Sequence, residues 1–292
     1  MSRVTEAAQR AVLVGVDDTA DAWLAADWAA TEAGLRGTGL RVLHAVGPGS
    51  PAGEGAEARV LDAAASVLDD AVARIAAGHP GVPLDTALAH EQPAEALIDA
   101  AQDADLIVVG TRGRGGFSGL LLGSVSLRTV AHADRPVVVA RGHTEKTEYG
   151  SIVVGVRDER DADAVRFALA EARLRGVGVR VLHAWAPLAR AGLVVPQASQ
   201  VDDEQHVHTR LLAHAARPIA EFPQVRADTD LVIGTPAAAL VEASARAGLV
   251  VVSRHPPVGR FALRLGSVVH AVLHHAECPV AVVPTTRAAE ET

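Results

Sequence analysis

The N-terminal half of this sequence returns, in recognisable form, in its C-terminal half. Three short segments come back in the same order, about 140 residues further along the chain. They are VLVGVDD at 12–18 with IVVGVRD at 152–158, RVLHA at 41–45 and 180–184, and GSV at 123–125 and 266–268. A repeat of this length predicts two tandem copies of one structural unit.

Each copy takes about half of the 292 residues, which agrees with the roughly 150 residues expected of one domain. We place the first domain at residues 1–143 and the second at 150–292. The polar stretch from Gly142 to Gly150 is then predicted to be the linker between them.

Within each unit, short valine-rich runs alternate with longer segments of helical periodicity. Strands are predicted near 11–17, 40–46, 83–89, 105–110 and 136–141, and near 151–157, 179–185, 225–233, 248–253 and 279–284. Helices of the first unit are predicted over about 20–36, 56–77, 93–102 and 124–133. Apolar strands that alternate with helices are typical of a parallel sheet covered on both faces. We therefore expect an α/β protein built from two tandem, Rossmann-like sandwiches with five parallel strands each, related by a pseudo-twofold axis.

The composition excludes several classes of protein and site. Cys278 is the only cysteine, which rules out an intramolecular disulfide and a cysteine-rich zinc site. Lys146, the only lysine, stands between the units, so neither unit contains the Gly-Lys-Ser/Thr of a phosphate-binding P-loop. A formal net charge of −8 disfavours general binding to nucleic acid or to a membrane surface. Because neither a membrane-length apolar run nor a signal-peptide pattern is present, we expect a cytoplasmic protein.

The most specific pattern follows the fourth predicted strand of the first unit. Its spacing is Gly-x2-Gly-x9-Gly-Ser, formed by Gly110, Gly113, Gly123 and Ser124. Open parallel sheets bind ligands beyond the carboxyl ends of their strands, and we expect the first two glycines to adopt positive φ angles there. Gly123 and Ser124 stand where the next helix starts, so its first N–H groups would face an anion. Further candidates in this loop are the hydroxyls of Ser124 and Ser126 and the guanidinium groups of Arg112 and Arg114.

With this loop, the sequence resembles the universal stress protein family over nearly its whole length, as two tandem copies. The resemblance rests on Gly15-Val16-Asp17 at the end of the first strand, on the widely spaced glycine motif, and on the proline-led last strand at 135–139 (RPVVV). In ATP-binding members of the family this motif holds an adenine nucleotide. The resemblance therefore implies a stress-response regulator that binds ATP, alone or with Mg²⁺, in its first domain and hydrolyses it slowly at most.

The resemblance also implies a role for each site residue. Asp17 would meet the adenosine, Val46 and Val109 would wall the adenine, and Gly110 and Gly113 would pack on the ribose and phosphates. The phosphates would lie on Gly123, Ser124, Val125 and Ser126. Independently of the resemblance, the positive charge of Arg112 in this loop would neutralise phosphate charge. One departure is visible, because family members commonly have Gly-Ser after the aspartate and this chain has Asp18-Thr19. A second carboxylate would weaken polyphosphate binding or favour a metal-bound nucleotide.

The second unit has lost much of the pattern. Ser253 and Pro256 replace the first two glycines of the loop, and Arg157 replaces the aspartate, while Gly266-Ser267 persists. Proline cannot copy a glycine with positive φ, and arginine cannot accept hydrogen bonds from ribose hydroxyls. We expect this unit to bind ATP weakly or not at all. Two alternatives are open for this loop: its arginines bind a simple anion, or they are merely exposed to solvent. These arginines are Arg157, Arg254, Arg260 and Arg264.

Alternatives remain for the chain as a whole. The glycine-rich loop would, on one hypothesis, only turn the chain. The protein would then be a nucleotide-independent module whose two units form a pseudo-dimer through their last strands, engage a protein client and self-associate further as a homodimer. An adenine-nucleotide-dependent transferase is a third hypothesis, which requires a second substrate pocket.

Single residues also leave alternatives open. His270 and His274 share a helical face and suit a metal, but the sequence places no third ligand, which favours surface histidines. His44 and His183 follow the second strand of each unit and either touch the ligand or close the strand. Cys278 is either a structural thiol or a redox sensor.

Overall fold

A computed structural model describes residues 11–48, 55–113, 122–142, 150–187, 198–256 and 265–285 of the chain. The chain divides into two compact units, Met1–Ala140 and Arg141–Thr292. Most of the predicted linker, residues 143–149, lies outside the described residues. Among the described helices, none is both long and apolar enough to cross a lipid bilayer.

The described residues of the first unit form a five-stranded parallel sheet with four α-helices. In chain order its elements are β1 (Ala11–Gly15), α1 (Ala20–Arg36), β2 (Leu40–Ala45), α2 (Ala56–Gly78), β3 (Leu84–Ala89), α3 (Pro93–Ala100), β4 (Ala104–Val109), α4 (Ser124–His132) and β5 (Val137–Val139). The strand order is β3-β2-β1-β4-β5, and each neighbouring pair is parallel. The predicted sandwich is confirmed, with strand and helix ends that shift by a few residues.

The second unit repeats this plan. Its elements are β6 (Ser151–Gly155), α5 (Ala162–Arg175), β7 (Val179–Trp185), α6 (Ala198–Ala215), β8 (Ala227–Ile233), α7 (Pro236–Ser244), β9 (Ala247–Arg254), α8 (Ser267–His275) and β10 (Val280–Pro284). The order β8-β7-β6-β9-β10 is again parallel throughout.

Aliphatic side chains build the core, because only 3 % of the residues are aromatic. Val12, Leu13 and Val14 of β1 are fully buried, so both faces of this central strand are covered. Helix α1 presents a run of buried alanines to the sheet, and such small side chains let the helix lie close to it. The helix ends at Gly37, whose φ of 66° is the left-handed geometry that glycine adopts most readily.

The strand order fixes where a ligand can enter. In the first unit, the chain runs from β1 outward to β3 on one side and then crosses to β4 on the other. The loops that follow β1 and β4 therefore diverge and leave a crevice at the carboxyl ends of these two strands. The same crevice lies between β6 and β9 in the second unit.

Candidate functional site

A cleft of about 530 Å³ opens at this point in the first unit. All ten candidate site residues of the first unit line it, although they come from four separate stretches of sequence. They are Asp17, Val46, Val109, Gly110, Arg112, Gly113, Gly123, Ser124, Val125 and Ser126. The topology thus brings the end of β1, the end of β2 and the β4–α4 loop to one place.

The helical walls of the cleft are not apparent from the sequence. Helix α2 contributes Val60, Ala63 and Ala64, and α3 contributes Pro93 and Leu97. The spacing of the α2 residues predicts only that they share one face of a helix. Their position over the cleft depends on how the helix packs on the sheet, which the sequence does not specify.

Asp17 lies directly beyond β1 and is held by a local network. Its Oδ1 accepts hydrogen bonds from the backbone N–H of Thr19 at 3.0 Å and from the Thr19 hydroxyl at 2.5 Å. The same hydroxyl accepts from the N–H of Ala22 and so caps α1. Asp18, by contrast, is exposed and does not line the cleft. The expectation that Asp18 places a second carboxylate in the site is therefore wrong.

Gly110 and Gly113 are needed for space, and the expectation of positive φ angles is wrong. Neither glycine lies in the left-handed region. A Cβ atom on Gly110 would lie 2.6 Å from the backbone oxygen of Asp21, in the first turn of α1. A Cβ atom on Gly113 would lie 2.6 Å from Oδ2 of Asp17. Since Gly113 has no positive φ angle, the expectation that Pro256 cannot copy its backbone angle no longer holds. Pro256 still lacks an N–H.

The start of α4 faces the cleft with open N–H groups. Gly123 is the N-cap residue in an extended conformation, and its own N–H donates to the Thr111 carbonyl at 2.7 Å. Because glycine has no side chain, it cannot cap the N–H groups of the first turn. Exposed Ser124 begins the helix, so an anion can approach both its hydroxyl and the positive end of the helix.

Ser126 has a different role from the one expected. Its buried hydroxyl donates to the Gly110 carbonyl at 2.7 Å and so ties α4 to the end of β4. A hydroxyl has one proton to donate, so this group cannot also donate to a phosphate oxygen. We therefore correct its role from a phosphate donor to a residue that positions the loop.

Arg112 lies at the rim of the cleft with about half of its side chain exposed. Its Nε is 3.4 Å from Oδ2 of Asp21, and the Thr111 hydroxyl donates to the same oxygen at 2.5 Å. An exposed ion pair of this kind contributes little stability. Asp21 nevertheless tethers the loop that follows β4 to the first turn of α1.

His44 both closes the strand and lines the cleft. Its Nδ1 lies 2.7 Å from the carbonyl oxygen of Val16, and the residue is buried. A carbonyl can only accept, so Nδ1 carries the proton. The two hypotheses for this residue are therefore compatible in the first unit.

The second unit has a smaller cleft of about 350 Å³ at the equivalent place. Arg157, Ser253 and Pro256, which replace the motif residues, all line it. The Arg157 side chain is paired with Asp158 at 3.2 Å. Of the four arginines considered for an anion site, Arg157 alone lines the described cleft. Arg260 and Arg264 lie outside the described residues.

A buried carboxylate holds the loop of the second unit. Asp161 is only 2 % exposed, and its Oδ1 lies 2.8 Å from Nε2 of His255. Its Oδ2 accepts from the backbone N–H of Arg157 at 2.5 Å. Burial raises the pKa of this carboxyl, but the nearby His255 and Ser253 side chains and the hydrogen bond from the Arg157 N–H outweigh burial, and the net pKa is lowered.

The remaining candidates lie away from both clefts. His270 and His274 have ring centroids 4.4 Å apart on α8, but no group of three metal-ligating side chains occurs among the described residues. Cys278 is buried, and burial raises the pKa of its thiol to about 12. A thiol that stays protonated favours the structural hypothesis over the redox one.

Comparison with known proteins gives a consistent result. The model of the universal stress protein family matches residues 9–141 and 148–284. A curated universal stress protein of Mycobacterium tuberculosis strain H37Rv is 34 % identical, over 93 % of this chain and 95 % of the relative. The crystal structure of a universal stress protein from Archaeoglobus fulgidus matches with a TM-score of 0.70 and 16 % identity, covering 94 % of this chain and 98 % of its own. Another structure from that organism, in complex with dAMP, covers 44 % of this chain and 96 % of its own, with 27 % identity and a TM-score of 0.37.

Proposed function

The chain belongs to the universal stress protein family, and from that premise we propose that its first unit binds an adenine nucleotide, ATP in particular, as the signal of a stress-response regulator. One observation carries the proposal. The ten candidate site residues, drawn from four stretches of sequence, line a single cleft at the switch point of the sheet.

The chemistry of the cleft suits the three parts of a nucleotide. Val46, Val60 and Val109 supply an apolar slot for the base. Asp17 supplies a carboxylate that can accept hydrogen bonds from ribose hydroxyls. The uncapped start of α4 supplies N–H groups and a positive helix end for the phosphates. A dissociation constant of about 1 µM corresponds to about −8 kcal/mol, which a site of this kind can supply.

The described residues fit a metal only in a limited way. Asp17 is the one carboxylate among the described residues that line the cleft. Mg²⁺ is commonly held by one or two carboxylates together with substrate phosphates and water. We therefore propose that any Mg²⁺ arrives with the nucleotide and is held mainly by its phosphates, with Asp17 as the one protein carboxylate in reach.

We expect hydrolysis to be slow at most. Phosphoryl transfer requires an oriented water and stabilisation of the developing charge. Asp17 has one oxygen engaged by Thr19, and His44 uses its Nδ1 proton on the Val16 carbonyl. Both groups hold the local structure, which favours binding over catalysis as the function of this cleft.

A charge placed at the start of α4 tests the proposal. Ser124→Glu puts a carboxylate where the phosphates would lie, and an acidic residue in the first turn does not harm the helix. Two charges about 4 Å apart near a protein surface interact by about 4 kcal/mol. We expect the Kd for ATP, measured by calorimetric titration of the full chain, to rise at least about tenfold.

Ser267→Glu is the matched control, because Ser267 begins α8 at the equivalent place in the second unit and is also exposed. We expect this variant to bind ATP with the affinity of the unmodified protein. Unchanged affinity in Ser124→Glu, or a loss confined to Ser267→Glu, would refute the assignment. A nucleotide-independent interaction module predicts no binding heat in any of the three proteins.

A further inference from the structure

The two units differ at the end of their second strand. His44 and His183 occupy equivalent positions, because each ring Nδ1 lies close to the carbonyl oxygen of the residue after the first strand of its unit. The distances are 2.7 Å to Val16 and 2.8 Å to Val156. Two residues further on, Val46 of the first unit therefore corresponds to Trp185 of the second.

These corresponding side chains have different surroundings. Val46 lines the first cleft, whereas Trp185 is 3 % exposed and is not among the residues that line the second. The indole of Trp185 stacks on the His208 ring from α6, with centroids 4.8 Å apart and an interplanar angle of 22°. Trp185, at the position that Val46 occupies in the first unit, thus belongs to a near-parallel pair of flat rings.

A chain of hydrogen bonds fixes this stack. His183 donates its Nδ1 proton to the Val156 carbonyl, so Nε2 of the neutral ring is an acceptor. Nδ1 of His208 lies 2.9 Å from that Nε2 and is the donor when His183 is neutral. His208 is therefore held from one side by His183 and packs against Trp185 through its face.

The shapes of the two clefts agree with this difference. Helix α2 lines the first cleft with Val60, Ala63 and Ala64, whereas no described residue of α6 lines the second. The volume falls from about 530 to about 350 Å³. The strand ends and the start of the last helix of each unit, α4 or α8, line both clefts. The volume that the second cleft lacks is therefore on the side that α2 covers in the first.

We propose that Trp185 and His208 occupy the base slot of the second unit, so that this cleft excludes nucleobases. The inference rests on the proposed function only for the identification of the slot in the first unit. Exclusion of the base by Trp185 and His208 is separate from the effect of Arg157 and Pro256, which stand where ribose and phosphate would lie. Trp185 and His208 exclude the base, because the chain's own aromatic rings already stack on each other in its place.

Adenine is the probe that isolates this effect, because it has no ribose or phosphate to meet the other substitutions. The number of adenine molecules bound per full-length chain is measured by equilibrium dialysis with the radiolabelled base. Trp185→Val recreates the valine of the first unit, and we expect this variant to bind one adenine more than the unmodified protein. His208→Ala removes the stacking partner, and we expect the same gain.

The reciprocal variant is Val46→Trp, which carries the indole into the first unit. We expect it to bind one adenine fewer than the unmodified protein. If Trp185→Val and His208→Ala keep the circular dichroism spectrum of the unmodified protein and gain no adenine, the inference is overturned. If the unmodified protein and Val46→Trp both bind none while Trp185→Val binds one, the slot of the first unit fails and the exclusion by Trp185 stands.

Discussion

At Gly110 and Gly113, the distance to the nearest atom matters more than the backbone angle. The Cβ that any other residue would add at Gly110 meets fixed backbone atoms of Asp21, at 2.6 Å from the oxygen and 2.7 Å from the carbon. At Gly113 the Cβ would meet the end of a side chain, Oδ2 of Asp17. A backbone neighbour can move only with its helix, whereas a carboxylate can rotate away.

We therefore expect two alanine substitutions in one loop to act differently. Gly110→Ala pushes β4 from α1 and should lower the free energy of unfolding by about 1–3 kcal/mol, the usual cost of overpacking. Gly113→Ala should leave stability within about 1 kcal/mol and weaken ATP binding, because it displaces Asp17. Urea denaturation and calorimetric titration of both variants measure these effects. Equal stability of the two variants would contradict the distinction.

A second residue-scale prediction concerns the single cysteine. Burial raises the pKa of the Cys278 thiol to about 12, and the side chain is 3 % exposed. The thiolate, which is the reactive form, is then almost absent at pH 8. We expect Ellman's reagent to label the native protein far more slowly than the protein in 6 M urea, where one thiol per chain should react. Complete labelling of the native protein at the rate of a free thiol would exclude a structural role.

At the scale of elements, the start of the first helix in each unit holds the loop that follows the fourth strand. Asp21 binds the Thr111 hydroxyl and lies near Arg112 in the first unit. Asp161 binds His255 in the second. The tether is therefore a carboxylate in both units, with a hydroxyl and an arginine as its partners in the first unit and a histidine in the second.

The sequence predicts these elements well because one strong signal defines each. Val-Leu-Val and Leu-Ile-Val-Val runs predict buried strands, and the Gly-Ser pair at 123–124 predicts a helix start, as found. It does not reveal the Trp185–His208 stack, since the two residues share no periodicity and lie on different elements. It also misjudges the loop glycines, because φ angles and close approaches depend on the packing of α1 against β4.

Helix α6 gives a pH-dependent prediction. Burial lowers the pKa of His208, the neighbouring His183 lowers it further, and Glu204 opposes both. The unfolded chain then binds more protons at this position, so the free energy of unfolding falls as the pH drops below about 6.5 and through the lowered pKa. His208→Phe keeps a ring against Trp185 but does not titrate. We expect a flatter pH dependence of its unfolding free energy between pH 7 and 5 than in the unmodified protein.

His206→Phe is the control for that experiment, because His206 is exposed on the same helix. It should retain the slope of the unmodified protein. His274, whose pKa is also lowered, first by burial and then by His270, keeps some slope in every variant. A slope in His208→Phe equal to that of the control would show that His208 does not couple protonation to folding.

At the scale of the whole molecule, the inequality of the clefts predicts where ATP stabilises the chain. A ligand present at 100 times its Kd adds about 2.7 kcal/mol to the stability of the unit that binds it, which slows exchange through unfolding of that unit about a hundredfold. Hydrogen–deuterium exchange read by mass spectrometry assigns this protection to peptides. We expect it in β4 and α4 and not in β9 and α8, which are the equivalent elements of the second unit. Because its Kd is expected to rise at least about tenfold, Ser124→Glu should lower the protection at the same ATP concentration by about tenfold or more, and Ser267→Glu should keep it. Protection of β9 and α8 as strong as that of β4 and α4 would mean that the second cleft binds the nucleotide despite Trp185, Arg157 and Pro256.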